Sequence, residues 1–323
     1  MKLGLRLPQR LGVDLQHDVV ESARTAEAAG YDSLWTYERL LFPENPVEPY
    51  AGSNQPWPEH SRQAADPLAI LTAAAVVTDR VRLGTSVLVA ALHTPVQLAK
   101  ELATVDQISG GRVIAGLATG WATDELQATG ATRADRGRFL DETLDVFDAV
   151  WGPDPVTFRS PRVIIDNAAV LPKPASKIPV MLGGGGSNLG RSTSSAAVQR
   201  IAQRADGWLP LLSTPGPAGA AELRASWDRL RELAAEYGRD ARRMEMVVVG
   251  NVTFTDRPAG SDRTAFVGTL DQIIEDVHTA AEAGADEVIV DLNLQDWFTG
   301  TAQMLETAVT IRERTKSFAG QGN

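Results

Sequence analysis

Eight apolar, β-prone runs alternate with eight amphipathic runs along nearly the whole chain. The strand-like runs occupy residues 3–8, 33–38, 81–89, 113–120, 179–183, 207–212, 244–254 and 286–292. The helical runs fill residues 18–29, 67–78, 95–108, 135–151, 194–204, 218–237, 270–283 and 301–316, with one face clear in Ile273, Val277, Ala280 and Ala281. Gly30, Gly238 and Gly284 follow helical runs, where a residue tolerant of left-handed backbone closes a helix before the next strand. Strand and helix alternating in this way build a parallel sheet, and eight such units predict an α/β fold, a (β/α)8 TIM barrel. A doubly wound open sheet is the alternative, though it usually needs fewer strands.

Two segments break the rhythm. Residues 40–65 follow the second strand and carry Pro43, Pro46, Pro49, Pro56 and Pro58 with the rings of Tyr50 and Trp57. A loop this long in a compact domain is usually functional. In a barrel it would lie over the C-terminal mouth, where active sites form; otherwise it is a mere excursion. Residues 156–174, before the fifth strand, read as a small hairpin insertion around Ser160-Pro161, suited to packing or a dimer contact rather than chemistry. The chain 1–323 is therefore expected to be a single barrel domain.

Composition narrows the function classes. With 323 residues, 43% of them hydrophobic and 22% charged, the chain can bury a large core. A net charge of −10 argues against a nucleic-acid or anionic-membrane surface. It leaves room for an anionic cofactor, because local arginines and helix N-termini can hold phosphate. The chain has no Cys, which excludes disulfides, thiolate catalysis and iron–sulfur clusters. No apolar run approaches the roughly 20 residues needed to span a bilayer, and Met1-Lys2 leads straight into a strand. A cytoplasmic protein is the expectation.

The run from Val81 through Thr85-Ser86-Val87, Thr94-Pro95 and Gly110-Gly111 to Thr119-Gly120 forms one strand–helix–strand unit, its helix opened by Pro95. Both strands end in small or hydroxyl residues, where a flat ligand can approach the backbone. The run Gly183-Gly184-Gly185-Gly186 follows another apolar strand, so its amides can cradle a phosphate; a tight turn is the plainer alternative. An NTPase is rejected, because Arg191 stands where a phosphate-loop signature needs Lys, and the dinucleotide spacing also fails. The four histidines, His17, His60, His93 and His278, show no metal-ligand spacing, so no metal is expected. His93 lies just past a strand end and could line a pocket, although a satisfied loop histidine is the simpler reading. There is no nucleophile elbow for a hydrolase. Glu38-Arg39 ends the second strand, where a charged pair is either an acid/base and ligand-orienting device or an ordinary salt bridge. Trp121 either walls a ring pocket or anchors a loop.

Nearly the whole chain resembles the luciferase-like superfamily, especially its branch that uses the deazaflavin coenzyme F420. The match lies in Ala29-Gly-Tyr-Asp-Ser-Leu-Trp35, Arg82-Leu-Gly-Thr-Ser-Val87, Leu98-Ala-Lys100, Asp106 to Arg112, Gly120-Trp121, Pro172-Lys-Pro174 and Ala205-Asp-Gly-Trp208. The resemblance implies a deazaflavin ring at the barrel mouth, with FMN as the alternative. Thr85, Ser86 and Val87 would back the ring, with a non-proline cis bond at Ser86-Val87. Thr119 and Gly120 would touch it from the next strand, and Gly183 to Gly186 would hold its phosphate. Catalytic roles would fall to Glu38, Arg39 and Trp121. Many relatives have Asp-His where Glu38-Arg39 stands, and Arg39 cannot serve as a proton donor near neutral pH. A relative that reduces sugar phosphates has a catalytic Glu at the position of Trp121, which speaks against that substrate class. The implied activity is hydride exchange between deazaflavin and a small organic substrate, in a homodimer. An FMN-dependent monooxygenase served by a flavin reductase partner is the alternative. A non-catalytic cofactor-binding protein and a flavin-free barrel lyase or isomerase are the other classes.

Overall fold

The computed structural model describes residues 1–50, 55–184, 195–294 and 300–316. The barrel strands are β1 (Lys2–Arg6), β2 (Ser33–Thr36), β3 (Arg82–Thr85) with its continuation β4 (Leu88–Val89), β5 (Val113–Ala118), β8 (Val180–Gly183), β9 (Gly207–Leu209), β10 (Glu245–Asn251) and β13 (Glu287–Asp291). They pair in parallel in the order β1, β2, β3, β5, β8, β9, β10, β13, and β13 returns to β1, so the sheet closes. The eight-stranded barrel expected from the sequence is what forms.

Each barrel strand leads to a helix on the outside. These are α1 (Asp18–Ala29), α2 (Pro67–Ala75), α3 (Pro95–Ser109), α5 (Arg136–Val150), α6 (Ala196–Arg204), α7 (Gly216–Glu236), α8 (Leu270–Glu282) and α9 (Thr301–Lys316). A short helix α4 (Thr123–Ala128) intervenes after β5. Local chemistry sets the ends. Asp66 caps α2 by accepting from Ala69 N at 2.8 Å, with Pro67 in the first turn. Gly110 closes α3 at φ 68°, a conformation that a side chain resists. Among the described residues, no helix is long and apolar enough to cross a membrane.

The hairpin before the fifth barrel strand is present as β6 (Val156–Arg159) and β7 (Ile164–Ala168), paired antiparallel. The strand expected over 81–89 is interrupted at Ser86-Val87, whose peptide is cis. The strand expected over 244–254 also divides. Its tail, β11 (Thr253–Phe254), leaves the barrel to pair with β12 (Val267–Gly268), a strand the hydrophobic pattern does not reveal. Within the long loop, Glu59–Arg62 form a 3-10 turn.

The barrel interior is filled rather than hollow. Trp35, Ile114, Met181, Leu209, Val247, Val249 and Ile289 form its core. The Trp35 indole fits because Gly84 on the neighbouring strand has no side chain; a Cβ there would overlap its ring. Below it, Trp35 Nε1 donates to Glu287 Oε1 at 2.9 Å, and Arg82 Nη2 donates to Glu287 Oε2 at 2.6 Å. This plugs the N-terminal end, so any ligand must enter at the other end.

Candidate active site

The C-terminal strand ends surround a cavity of about 400 Å³. Such a volume lies within the ordinary range for cofactor and small-ligand sites. Arg6 comes from β1, Tyr37 to Arg39 follow β2, and Ser86 and Val87 follow β3. Ala118 to Trp121 come from β5, Gly183 and Gly184 from β8, Asn251 from β10 and Asp291 from β13. Tyr50, His60 and Ser61 place the long loop against the same cavity.

Part of the lining is made of small apolar groups. Val87, Ala118 and Gly183 meet at the ends of three neighbouring strands; a Cβ on Gly183 would come 3.1 Å from Val87 Cγ1 and 3.7 Å from Ala118 Cβ. Gly184 has φ 129° and open space where a side chain would be, and its carbonyl accepts from Trp208 Nε1 at 3.0 Å. A planar ring can therefore lie on backbone and small side chains. The residues present fit a flavin-like group.

Charged side chains line the rim in pairs. Arg6 Nη1 donates to Asp291 Oδ2 at 2.5 Å, and Arg6 Nη2 donates to Ser86 O at 2.8 Å and Ser86 Oγ at 3.0 Å. Arg6 Nε is buried with no partner among the described residues, a donor left over at the mouth. Asp291 is held in turn by Asn293, whose N donates at 2.9 Å and Nδ2 at 3.0 Å to Asp291 Oδ1. Burial pushes the Tyr37 phenol well up, with Asp291 adding to the effect, so it stays a neutral hydroxyl at the mouth.

Glu38 and Arg39 do not pair with each other, contrary to the simplest reading of their adjacency. Glu38 Oε2 accepts from Val89 N at 2.6 Å, and Glu38 Oε1 lies 2.6 Å from His93 Nε2. Arg39 Nη1 donates to Glu125 Oε2 at 2.9 Å, and Glu125 Oε1 accepts from Leu40 N at 2.7 Å. The Arg39 guanidinium also sits over the rings of Trp121, Trp57 and Tyr50, at 4.7, 5.3 and 5.6 Å from their centroids. Trp121 touches Trp57 at 5.1 Å and Tyr50 at 5.5 Å between centroids, so it ties the long loop to the barrel. Burial pushes the Glu125 carboxyl up despite the opposing charge of Arg39.

Thr85 does not line the cavity, although its neighbours do. Its side chain is fully buried and turns toward β5. There its Oγ1 donates to Gly116 O at 2.8 Å and accepts from Gly116 N at 2.9 Å, so it stitches two strands together. Ser86, Val87, Thr119, Gly120, Gly183, Gly184, Glu38, Arg39 and Trp121 all reach the cavity. Gly185 and Gly186 lie outside the described residues. Among those described, no cluster of three or more His, Asp or Glu could hold a metal ion.

Sequence reasoning missed Arg6, Tyr37, Asp291 and Glu125, and it underrated His93. A signal for Arg6 and Asp291 existed: each is the lone charge in an otherwise apolar strand end, and the two strands are neighbours once the barrel closes. Glu125 gave no such sign, because it lies on the short helix α4 that the pattern does not reveal.

A second cavity, of about 840 Å³, lies outside the barrel between α2 and α3, and His93 lines it. It shares two lining residues with the mouth, Glu38 and Arg39. His93 keeps 19% side-chain exposure there. Burial works against its charge, but the hydrogen bond and charge of Glu38, with Glu101 and Asp66 farther out, outweigh it and raise the imidazole above its ordinary value.

A family model described as luciferase-like monooxygenase matches residues 1–260. An uncharacterized protein of Mycobacterium tuberculosis is 32% identical over 191 residues, or 58% of this chain; the match spans 65% of that relative's length. An F420-dependent glucose-6-phosphate dehydrogenase of Amycolatopsis mediterranei is 26% identical over 296 residues, covering 87% of this chain and 80% of the relative. Among solved structures, an F420-dependent secondary alcohol dehydrogenase in complex with an F420–acetone adduct has a TM-score of 0.73 over 98% of both chains at 18% identity, a likeness of fold.

Proposed function

The chain belongs to the luciferase-like monooxygenase family, and from that membership we propose an oxidoreductase that holds the deazaflavin F420 in the barrel mouth and exchanges a hydride with a small organic substrate. The observation that carries this reading is the floor of Val87, Ala118 and Gly183, a shelf at the ends of three adjacent strands. Ser86, Thr119 and Gly120 would border the ring, and the glycine run that begins at Gly183 is the proposed phosphate-binding segment. When bound, the cofactor supplies the electron chemistry; the protein positions the substrate and keeps water out. Relatives named for F420 use favour this cofactor over FMN.

Each side chain then has a task. Trp121, packed on Trp57 and Tyr50, would wall the mouth on the loop side. Arg39 is a fixed cation that organises this wall through Glu125 and the rings, and it releases no proton. Glu38 is the carboxylate at the rim that can orient a hydroxyl or carbonyl and carry its proton. Because Arg6, Arg39 and Glu38 already have charged partners, the site suits a neutral carbonyl or alcohol better than an anionic sugar phosphate. Trp121, where a sugar-phosphate-reducing relative has Glu, supports the same choice.

Titration of the protein with F420 and with FMN, followed by fluorescence quenching, tests the cofactor. Acetone with reduced F420, or propan-2-ol with the oxidised form, tests turnover by the change in deazaflavin absorbance. Tighter binding of FMN with substrate-dependent oxygen uptake would replace the proposal by an FMN-dependent monooxygenase that needs a reductase partner. Binding of F420 without turnover of any carbonyl or alcohol would leave a cofactor-binding protein.

A further inference from the structure

We propose that Glu38 and His93 form a proton route that serves the mouth from the lateral cavity between α2 and α3, so that the reaction can exchange a proton with the solvent of that cavity. The inference rests on the oxidoreductase reading above. It starts from a topological fact: the two cavities share Glu38 and Arg39 as their common lining. Arg39 cannot relay a proton, since a guanidinium does not deprotonate in this range and this one is held by Glu125. Glu38 can. One of its oxygens is fixed by Val89 N–H, and the other meets His93 Nε2 at 2.6 Å. His93 lines only the lateral cavity of the two, and it reaches solvent there.

In the reducing direction the substrate carbon receives the hydride and its oxygen takes a proton from Glu38. Glu38 recovers that proton from His93 Nε2 while the other ring nitrogen, Nδ1, takes one from solvent in the lateral cavity. A reduced deazaflavin, when bound, would supply the hydride and return its own ring proton to solvent, the substrate gains that hydride and the Glu38 proton, and alcohol oxidation runs the same steps backwards. His93 acts through Glu38 and is in that sense a positioning residue.

The groups around His93 bear on its charge. Glu38 faces it from the end of β2, Asp66 from the start of α2, and Lys100 and Glu101 from α3. Arg39 lies on the shared wall, and Arg162 of the hairpin donates to the His93 carbonyl at 3.3 Å. The acidic groups outweigh the basic ones and burial, so the imidazole holds its proton above the ordinary histidine range. An imidazole beside a carboxylate that favours its charged form, and open to solvent on its far side, has what a proton relay requires.

The test uses histidine-labelled protein and the NMR titration of its four imidazoles, with His93→Gln assigning the signal. His93 should titrate above the ordinary range, fall toward it in Glu38→Gln, and keep titrating when F420 or FMN saturates the mouth. Loss of the titration on cofactor binding would overturn the route, because the proton would then enter through the mouth. So would a titration in Glu38→Gln identical to that of the wild type. In the ketone-reduction assay, His93→Gln should lower kcat by about 10²-fold, leave KM and cofactor affinity nearly unchanged, and remove the fall in kcat as pH rises. Wild-type kcat and pH profile in His93→Gln would overturn the proposal while leaving the oxidoreductase intact. Failure of the wild-type protein to bind either cofactor would instead overturn the oxidoreductase reading itself.

Discussion

Arg39→Met should destabilise the protein substantially, and Glu125→Gln in the same chain should restore most of the loss. Arg39 and Glu125 keep 13% and 3% side-chain exposure, so their ion pair is largely out of water. Removing one partner of such a pair strands the other charge and costs about 3–5 kcal/mol. The lower end applies here, because Arg39 keeps some solvent and burial already inclines Glu125 to take up a proton. Methionine retains part of the contact with the Trp121, Trp57 and Tyr50 rings. In the double variant the amide carbonyl introduced by Glu125→Gln can still accept from Leu40 N, the bond that Glu125 makes at 2.7 Å, and no charge is stranded. The expected deficits are about 3 kcal/mol for Arg39→Met and about 1 kcal/mol for the double variant at pH 7. Urea denaturation of the single and double variants gives the coupling directly. The deficit of Arg39→Met should also shrink in acid: an acid whose folded-state value is raised contributes stability below its unfolded range and loses it as pH rises. A single-variant loss below about 1 kcal/mol, or a double variant no better than the single, would refute the buried-pair reasoning.

Thr85→Val leaves the Gly116 N–H and C=O without the hydroxyl that serves both, and should cost about 2–4 kcal/mol in urea melts. Cofactor affinity should change little, which distinguishes a strand tie from a ligand. Gly183→Val should do the reverse: it fills the shelf beside Val87 and weakens cofactor binding by about tenfold or more with melting nearly unchanged, read by fluorescence titration. For His93→Gln, the stability gap to wild type should be full in mild acid and close as pH rises through the raised value of His93, read by thermal melts across pH.

The barrel was legible because its signals are local and repeated. A strand that alternates with a helix leaves both periods in the sequence, and α1 and α9 end at the residues the pattern picks out. The small strands β11 and β12 left none, since two residues each carry no period. The site was legible only in part, for a geometric reason. Ser86, Thr119 and Gly183 announce themselves by type at strand ends. Partnership is decided by which strand ends become neighbours, and adjacency in sequence misleads there. Glu38 and Arg39 are consecutive, so their side chains leave the chain in different directions: one toward His93, 55 residues away, the other toward Glu125, 86 residues away. Thr85 turns its hydroxyl to Gly116 on the neighbouring strand, whereas Ser86 beside it lines the cavity.

The pairing has a consequence for the chemistry of the mouth. A planar, electron-accepting ring gains most from a site whose dipoles are fixed before it arrives, because nothing then has to reorganise as charge moves. Here Arg6 is clamped by Asp291 and Ser86, Asp291 by Asn293, and Arg39 by Glu125 and three rings. Each of these side chains is held by at least two contacts. Glu38 with His93 differs, since an imidazole can hold or release a proton in that range. A rim with rigid ion pairs and one proton-mobile pair is suited to a reaction that moves a hydride and a proton separately. Among the described residues of that rim, Arg6 and Arg39 are each already held by a carboxylate, Asp291 and Glu125.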